Sequence, residues 1–399
     1  MNILKKIYCR IFQKSFKIAI PFLPYRKPRQ LDSNEELAHV LNRKNISCVM
    51  IITDASVYSL GLIKGLESCL KKENISYVIY DKTVANPTTV NVEEARSLYL
   101  EKDCKALIGF GGGSSIDCAK AVGARIVKPK KSLAKMEGLL RICKRLTLLI
   151  AIPTTAGTGS ETTLAAVITD AKTRHKYPIN DFSLIPHYAV LDPEVTRTLP
   201  PFLTATTGMD ALTHAVEAYI GGSTTKETRQ NALKAVSLIF TYLRPAYQNG
   251  NNIKARRKML YASFLAGAAF TKSYVGYVHA VAHSLGGKYN TPHGLANAVL
   301  LPHVLEAYGK SAYKKLHELG ICAGVCDIED SHQVGAERFI EAIKQLKIDL
   351  NIPDYIEEIQ EKDIPKLAKY ADKEGNPLYP VPKLMNAKEL ERFYYEVMR

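Results

Sequence analysis

No stretch of this 399-residue chain approaches 18 consecutive apolar residues, the length that argues for a bilayer-spanning helix, so no transmembrane helix is expected. None of the eight cysteines forms a C-x-x-C pair. They read as reduced thiols of a cytoplasmic protein rather than as a disulfide framework. Lys14 and Lys17 interrupt any hydrophobic core of a signal peptide, and no small-residue cleavage site follows them, so a secretory leader is not expected. Internal repeats and low-complexity tracts are also missing. With 46% hydrophobic and 23% charged residues, the composition excludes disordered and collagen-like chains. What remains is a soluble globular chain long enough for two domains.

One absence is local. Residues 1–30 contain Lys5, Lys6, Arg10, Lys14, Lys17, Arg26, Lys27 and Arg29 and no acidic residue, and glycine does not occur before Gly61. The formal net charge of +15 would ordinarily raise nucleic acid or an anionic membrane as a partner. This segment and a second run, Lys128 to Arg145, hold nearly all of it. The rest of the chain is close to neutral, so no nucleic-acid partner is expected. Within the first segment Leu4, Ile7, Tyr8, Ile11, Phe12 and Phe16 recur at spacings of 3 and 4, which predicts an amphipathic helix over 3–20. It reads first as an arm, residues 1–35, packed on its own domain or on a neighbouring subunit. Attachment to a membrane surface through residues 1–30 is the sharper alternative.

Beyond the arm, strand and helix signals alternate. Ser47–Thr53, Tyr77–Tyr80, Ala106–Phe110, Leu146–Ile152 and Tyr188–Leu191 are short apolar runs separated by helical patterns, which implies a parallel sheet covered on both faces. After Leu199-Pro200-Pro201 the pattern turns to long segments of period 3.6. The expected architecture is a Rossmann-like α/β domain over 36–197 followed by an all-helical domain over 198–399.

Two loops at the carboxyl edge of the sheet suit a phosphate. Gly109 to Asp117 joins a strand to a helix. Its glycines admit close approach of the backbone, and the helix N-terminus offers free N–H groups. Ser114 stands where a third glycine would complete G-x-G-x-x-G, and no Gly-Lys-Ser/Thr follows, so this is neither a clean dinucleotide fingerprint nor a P-loop. Pro153 to Glu161, rich in hydroxyls and glycine, follows the next strand at the same edge. Asp54 follows the strand over 47–53 directly. A carboxylate there can take a ribose hydroxyl and repel a 2′-phosphate, favouring NAD over NADP; it can equally cap a helix. The second basic run begins at the opposite edge and is expected to be a solvated loop.

Five of the ten histidines fall between 214 and 303. Asp210 and His214 form an i,i+4 pair, as do His279 and His283, and His293 follows in a loop. Such pairs project from one helical face. A carboxylate with three imidazoles suits a divalent first-row ion, iron(II) or zinc(II). Five candidates exceed a four-coordinate site, so one is left for proton transfer. His303, after Pro302, is expected to start a helix.

The chain resembles the iron-containing (group III) alcohol dehydrogenase family, through GGGSSIDCAK (111–120), PTTAGTGSE (153–161), TATTGMDALTHAVEAY (204–219) and HAVAHSLGGKYNTPHGLANA (279–298). The resemblance runs from about residue 45 to the C-terminus and implies the dehydroquinate synthase-like pair of domains. It implies metal ligation by Asp210, His214, His279 and His293, with His283 the free histidine near the substrate. Asp54 would bind the ribose. Asn86, Gly112, Gly113, Ser114, Thr155, Thr158 and Lys176 would face the dinucleotide, with Asp117 and Thr154 in the same loops as further candidates. Phe270 matches a substrate-pocket aromatic. The implied reaction is reversible hydride transfer between a primary alcohol or aldehyde and NAD(H), by a homodimer. Glycerol dehydrogenase or dehydroquinate synthase-like chemistry on the same fold, a metal-dependent hydrolase, and a membrane-recruited binding protein are the competing readings. Residues 1–35 depart from the family's usual start, a short strand and a glycine-containing turn.

Overall fold

The computed structural model describes residues 1–399. Helix α1 (Ile3–Ala19) opens the chain, capped by the Asn2 side chain, which accepts from the Lys5 N–H. The chain divides into two compact units, Pro24–Leu199 and Pro200–Arg399, and Met1–Leu23 belongs with the second.

The first unit carries strands β1 (Arg29–Leu31), β2 (Cys48–Ile52), β3 (Ser76–Tyr80), β4 (Ala106–Gly111), β5 (Gly138–Leu139), β6 (Leu148–Pro153), β7 (Ala165–Thr169), β8 (Lys176–Asn180) and β9 (Tyr188–Val190). Its helices are α2 (Asn34–Arg43), α3 (Ala55–Ser59), α4 (Lys64–Lys72), α5 (Thr89–Glu101) and α6 (Gly113–Val127). Six strands make one sheet in the order β1-β9-β6-β4-β2-β3, with every pairing parallel. Side chains alternate across it. Val49, Ile51, Ile108 and Phe110 pack with Leu41 and Leu66 on one face. Met50, Ile52 and Leu107 pack with Val92 and Val122 on the other. Both faces being buried is why these strands read as continuous apolar runs.

Two elements depart from expectation. Arg29–Leu31 is an edge strand paired with β9, so the arm of 1–35 ends earlier, and residues 24–35 belong to the α/β unit. With Arg29 and Gln30 exposed, this strand presents no apolar run to read. Part of the basic run 128–145 forms β5, which joins β8 and β7 in a second, three-stranded sheet. Exposed and buried residues alternate there around Pro178, which masked β8.

The crossovers from β4 to β6 and β9 proceed to one side of the large sheet, and β2 and β3 lie on the other. The order therefore reverses between β2 and β4, the position where open α/β sheets bind ligands beyond their carboxyl ends. Gly111 closes β4 at φ 150°, where an added Cβ would stand 2.6 Å from the Ser115 hydroxyl. Glycine is required at that turn.

The second unit contains α7 (Pro201–Ile220), α8 (Lys226–Gln248), α9 (Ile253–Ser273), α10 (Tyr277–Tyr289), α11 (His293–Tyr308), α12 (Tyr313–Ala323), α13 (His332–Asp349), α14 (Ile364–Gly375) and α15 (Ala387–Val397). From Thr204 to Ile220 all of α7 but Thr207 is buried, the mark of a central helix. Pro302 lies inside α11, so His303 is a mid-helix residue and not the helix start its sequence suggests. Its Nδ1 lies 3.6 Å from the Glu396 carboxylate. Helix α1 is held on this unit by polar side chains. Arg10 donates to the carbonyls of Val381 (2.7 Å) and Pro382 (2.8 Å), and Gln13 donates to those of Tyr379 (2.7 Å) and Pro377 (3.2 Å).

Candidate metal centre and nucleotide edge

In the helical unit, the four-residue spacing on α7 places Asp210 and His214 on one face, and both are buried. Helix α10 contributes His279, also buried, and α11 contributes its first residue, His293. One donor atom from each of the four lies within 4.8 Å of all the others. The Asp210 carboxylate oxygen Oδ1 sits 3.4 Å from His293 Nε2, 3.8 Å from His279 Nε2 and 3.9 Å from His214 Nδ1.

The surroundings fit a bound cation. His279 Nε2 is buried with no hydrogen-bond partner in the protein, and its other ring nitrogen lies 2.6 Å from Glu217 Oε2. A ligating histidine commonly has this arrangement, one nitrogen free for the ion and the other oriented by a carboxylate. Burial, reinforced by the neighbouring imidazoles of His214, His293 and His283, lowers the His279 pKa well below the ordinary value. The ring is therefore neutral, the form that donates to metal. Glu217 also accepts from the N–H groups of Gly276 and Val278, each at 2.8 Å. Burial raises its pKa to about 7, against the pull of those hydrogen bonds. Gly276 has no room for a side chain, since a Cβ would stand 2.6 Å from Glu217 Oε1. Asn297, fully buried, donates 2.7 Å to Asp210 Oδ1 and fixes the carboxylate.

Sequence reasoning missed Glu217 and Asn297. The available signal was their spacing, seven residues past Asp210 and four past His293, as polar side chains in otherwise apolar helices. Glu217→Gln is expected to weaken metal affinity about 10–100-fold, read by competitive chelator titration. An unchanged affinity would remove Glu217 from the site.

His283, one turn beyond His279, is less enclosed, with its side chain 42% exposed. Its Nδ1 lies 2.6 Å from Glu374 Oε1, which also accepts from the Tyr379 hydroxyl at 2.7 Å. Burial, which raises the Glu374 pKa, is outweighed by His283 and Tyr379, and the carboxyl is held below its usual range. The His283 ring stacks on His293 with centroids 5.2 Å apart. Phe270 stacks on His214 at 4.2 Å and borders the cluster.

In the α/β unit, Asp54 lies at the carboxyl edge of the large sheet, just after β2. Its Oδ1 caps α3, accepting from the Ser56 and Val57 N–H groups at 3.0 Å, while Oδ2 faces the Ser115 hydroxyl at 3.5 Å. The two edge loops are stitched together by the Thr154 N–H, which donates to Gly111 O at 3.0 Å. Thr155 lies beside Gly112, and Thr158 beside Gly113. The Asn86 N–H donates to Ser114 Oγ (3.3 Å), and Lys176 donates to Asn86 Oδ1 (2.6 Å). Asn86, Ser114 and Lys176 therefore meet at the start of α6. Asp117 departs from the group. Its Oδ2 accepts from the Val167 N–H of β7, and the buried Lys120 ammonium lies 3.8 Å from Oδ1. This residue ties α6 to the smaller sheet. Thr154 is buried, and its observed part is the backbone stitch.

A parallel-sheet unit with a glycine loop at its switch point, and a helical unit with three histidines and an aspartate converging, define a dinucleotide-linked metalloenzyme. The chain belongs to the iron-containing alcohol dehydrogenase family. The model of that family matches residues 29–193, and the model of the family's C-terminal part matches 204–398. Alcohol dehydrogenase 4 of Schizosaccharomyces pombe is 38% identical over 354 residues, covering 86% of this chain and 82% of that protein. The 1,3-propanediol dehydrogenase of Citrobacter freundii is 35% identical over 385 residues, covering 96% and 98%. The crystal structure of a 1,3-propanediol oxidoreductase superposes with a TM-score of 0.89 at 34% identity, over 94% of this chain and 99% of that one. The chain is an oxidoreductase of the NAD(H)-linked alcohol/aldehyde class.

Proposed function

We propose that this enzyme interconverts a small primary alcohol and its aldehyde with NAD(H), using a divalent ion held by Asp210, His214, His279 and His293. The observation that carries this reading is the convergence of those four donors within 4.8 Å, with Glu217 and Asn297 orienting two of them from behind. When bound, the ion supplies Lewis-acid polarisation of the alcohol or carbonyl oxygen, and the dinucleotide supplies the hydride acceptor or donor. The donor set accepts iron(II), the family's metal, and zinc(II).

The chain's own residues do the rest. His283, paired with Glu374 and partly open to solvent, takes up the alcohol proton and passes it outward. Phe270, stacked on the His214 ring, gives the cluster an apolar border. Gly112, Gly113 and Ser114 present the N-terminus of α6 to a pyrophosphate. Thr155, Thr158, Asn86 and Lys176 surround that position, the Thr154 N–H stitches the two loops together, and Asp117 ties α6 to the smaller sheet. Asp54 Oδ2 takes the ribose hydroxyl and repels a 2′-phosphate. All eight cysteines are free thiols, which fits a cytoplasmic enzyme.

The direct test is a substrate screen with NAD and NADP on protein stripped of metal and reloaded separately with iron(II) and zinc(II). Turnover equal in stripped and reloaded protein would overturn the metal's role. Asp54→Gly isolates the cofactor assignment, because glycine at a helix cap costs only a few tenths of a kcal/mol. The variant is expected to gain activity with NADP relative to NAD. An unchanged ratio of kcat/KM for the two cofactors would contradict the ribose role.

A further inference from the structure

Helix α1 turns a mixed face to the protein and an apolar face outward. On the inner face Arg10 and Gln13 grip backbone carbonyls of residues 377–382, Lys5 pairs with Asp372 at 3.0 Å, and apolar residues are enclosed beside them. Cys9 and Ile20 are buried, Ala19 is half-buried, and Phe16 meets Tyr274 edge-on. The opposite face is apolar and open. Ile3, Leu4, Ile7, Ile11 and Ile18 are 50–75% exposed, and Phe22, just past the helix, is 85% exposed. A contiguous exposed apolar stripe marks an interaction site. The grip of Arg10 and Gln13 fixes the helix so that this stripe faces away from the unit.

The charge on the stripe selects what covers it. Lys14 stands within it and Lys6 and Lys17 beside it, all exposed, in a segment with eight basic and no acidic residues over 1–30. A second copy of the helix would bring the same positive charge against itself with no acid to offset it. An anionic lipid surface satisfies both halves, apolar side chains entering the acyl boundary and lysines meeting headgroups. At 17 residues α1 is about 26 Å long, and no helix of the chain is long and apolar enough to cross a membrane. The geometry is that of a helix lying in the interface. We propose that the outer face of α1 docks the enzyme onto an anionic membrane surface.

The test is flotation of the full-length, metal-loaded protein with phosphatidylserine/phosphatidylcholine vesicles and with pure phosphatidylcholine vesicles. Binding to the first and markedly less to the second is expected. Each of Lys6→Gln, Lys14→Gln and Lys17→Gln should weaken binding about fivefold, and Ile7→Glu with Ile11→Glu should abolish it. These side chains point outward, so alcohol oxidation in solution serves as the check that the variants are folded. The chain has no tryptophan, and Ile11→Trp therefore installs a single reporter whose emission should shift to the blue on anionic vesicles alone. Absence of binding to phosphatidylserine vesicles, or binding that Ile7→Glu/Ile11→Glu leaves intact, overturns the proposal. So does a wild type that ignores vesicles but loses an oligomeric state in the isoleucine variant, which would assign the stripe to a second copy.

Discussion

His279→Ala is expected to lose bound metal and alcohol oxidation together. His279 is the most enclosed of the three imidazoles in the cluster, with Nε2 facing it and Nδ1 on Glu217. Its removal deletes one donor of four and leaves the Glu217 carboxylate short of a partner in a buried site. Lewis-acid assistance is worth several kcal/mol of barrier, and each 1.36 kcal/mol is tenfold in rate, so turnover should fall about 10³-fold or more. Metal content by elemental analysis and kcat should fall in parallel, with helical circular dichroism retained. Full turnover in metal-free His279→Ala would sink the assignment of the cluster.

The second large effect separates proton movement from metal holding. His283 stands one turn from His279, yet its polar partner is Glu374, and its ring is partly exposed. His283→Ala should keep most of the metal and lose about 10²–10⁴-fold in kcat, the usual contribution of a positioned proton carrier. Added imidazole should restore part of the rate, which a merely structural role would not allow. A variant with wild-type kcat, or one that loses metal as His279→Ala does, would remove His283 from proton transfer.

The contrast between these two histidines shows what the chain makes legible. Asp210, His214, His279 and His293 could be picked out because ligand chemistry demands particular residue types and helices impose particular spacings. The strands β2, β4 and β6 were readable because a sheet buried on both faces needs unbroken apolar runs. The supporting residues leave no comparable trace. Glu217 meets His279 across 62 residues of sequence, and Glu374 meets His283 across 91. Glu217 shows only as an acid seven residues past Asp210 in a largely apolar helix, and nothing in the local pattern distinguishes Glu374 from an ordinary acid. Asp117 misled for a related reason: it sits in the glycine-loop motif, and its partner is a backbone N–H of β7, which has no side-chain identity to read. Asp54 was ambiguous because one carboxylate has two oxygens, and the structure uses one as a cap and turns the other toward Ser115.

The grip of Arg10 on Val381 and Pro382 spans 371 and 372 residues, and this has a consequence for biosynthesis. Helix α1 is made before the carbonyls that seat it, which follow more than 370 residues later. At about 5–20 residues per second, translation separates the two events by roughly 20–75 s. Throughout that interval the chain trails a basic, amphipathic segment with no place to dock on its own protein. The residues that hold α1 also lead, through Tyr379 and Glu374, to His283. Seating of α1 is thus a late step in assembly, and the acid–base end of the site should mature only after residues 374–382 have been made.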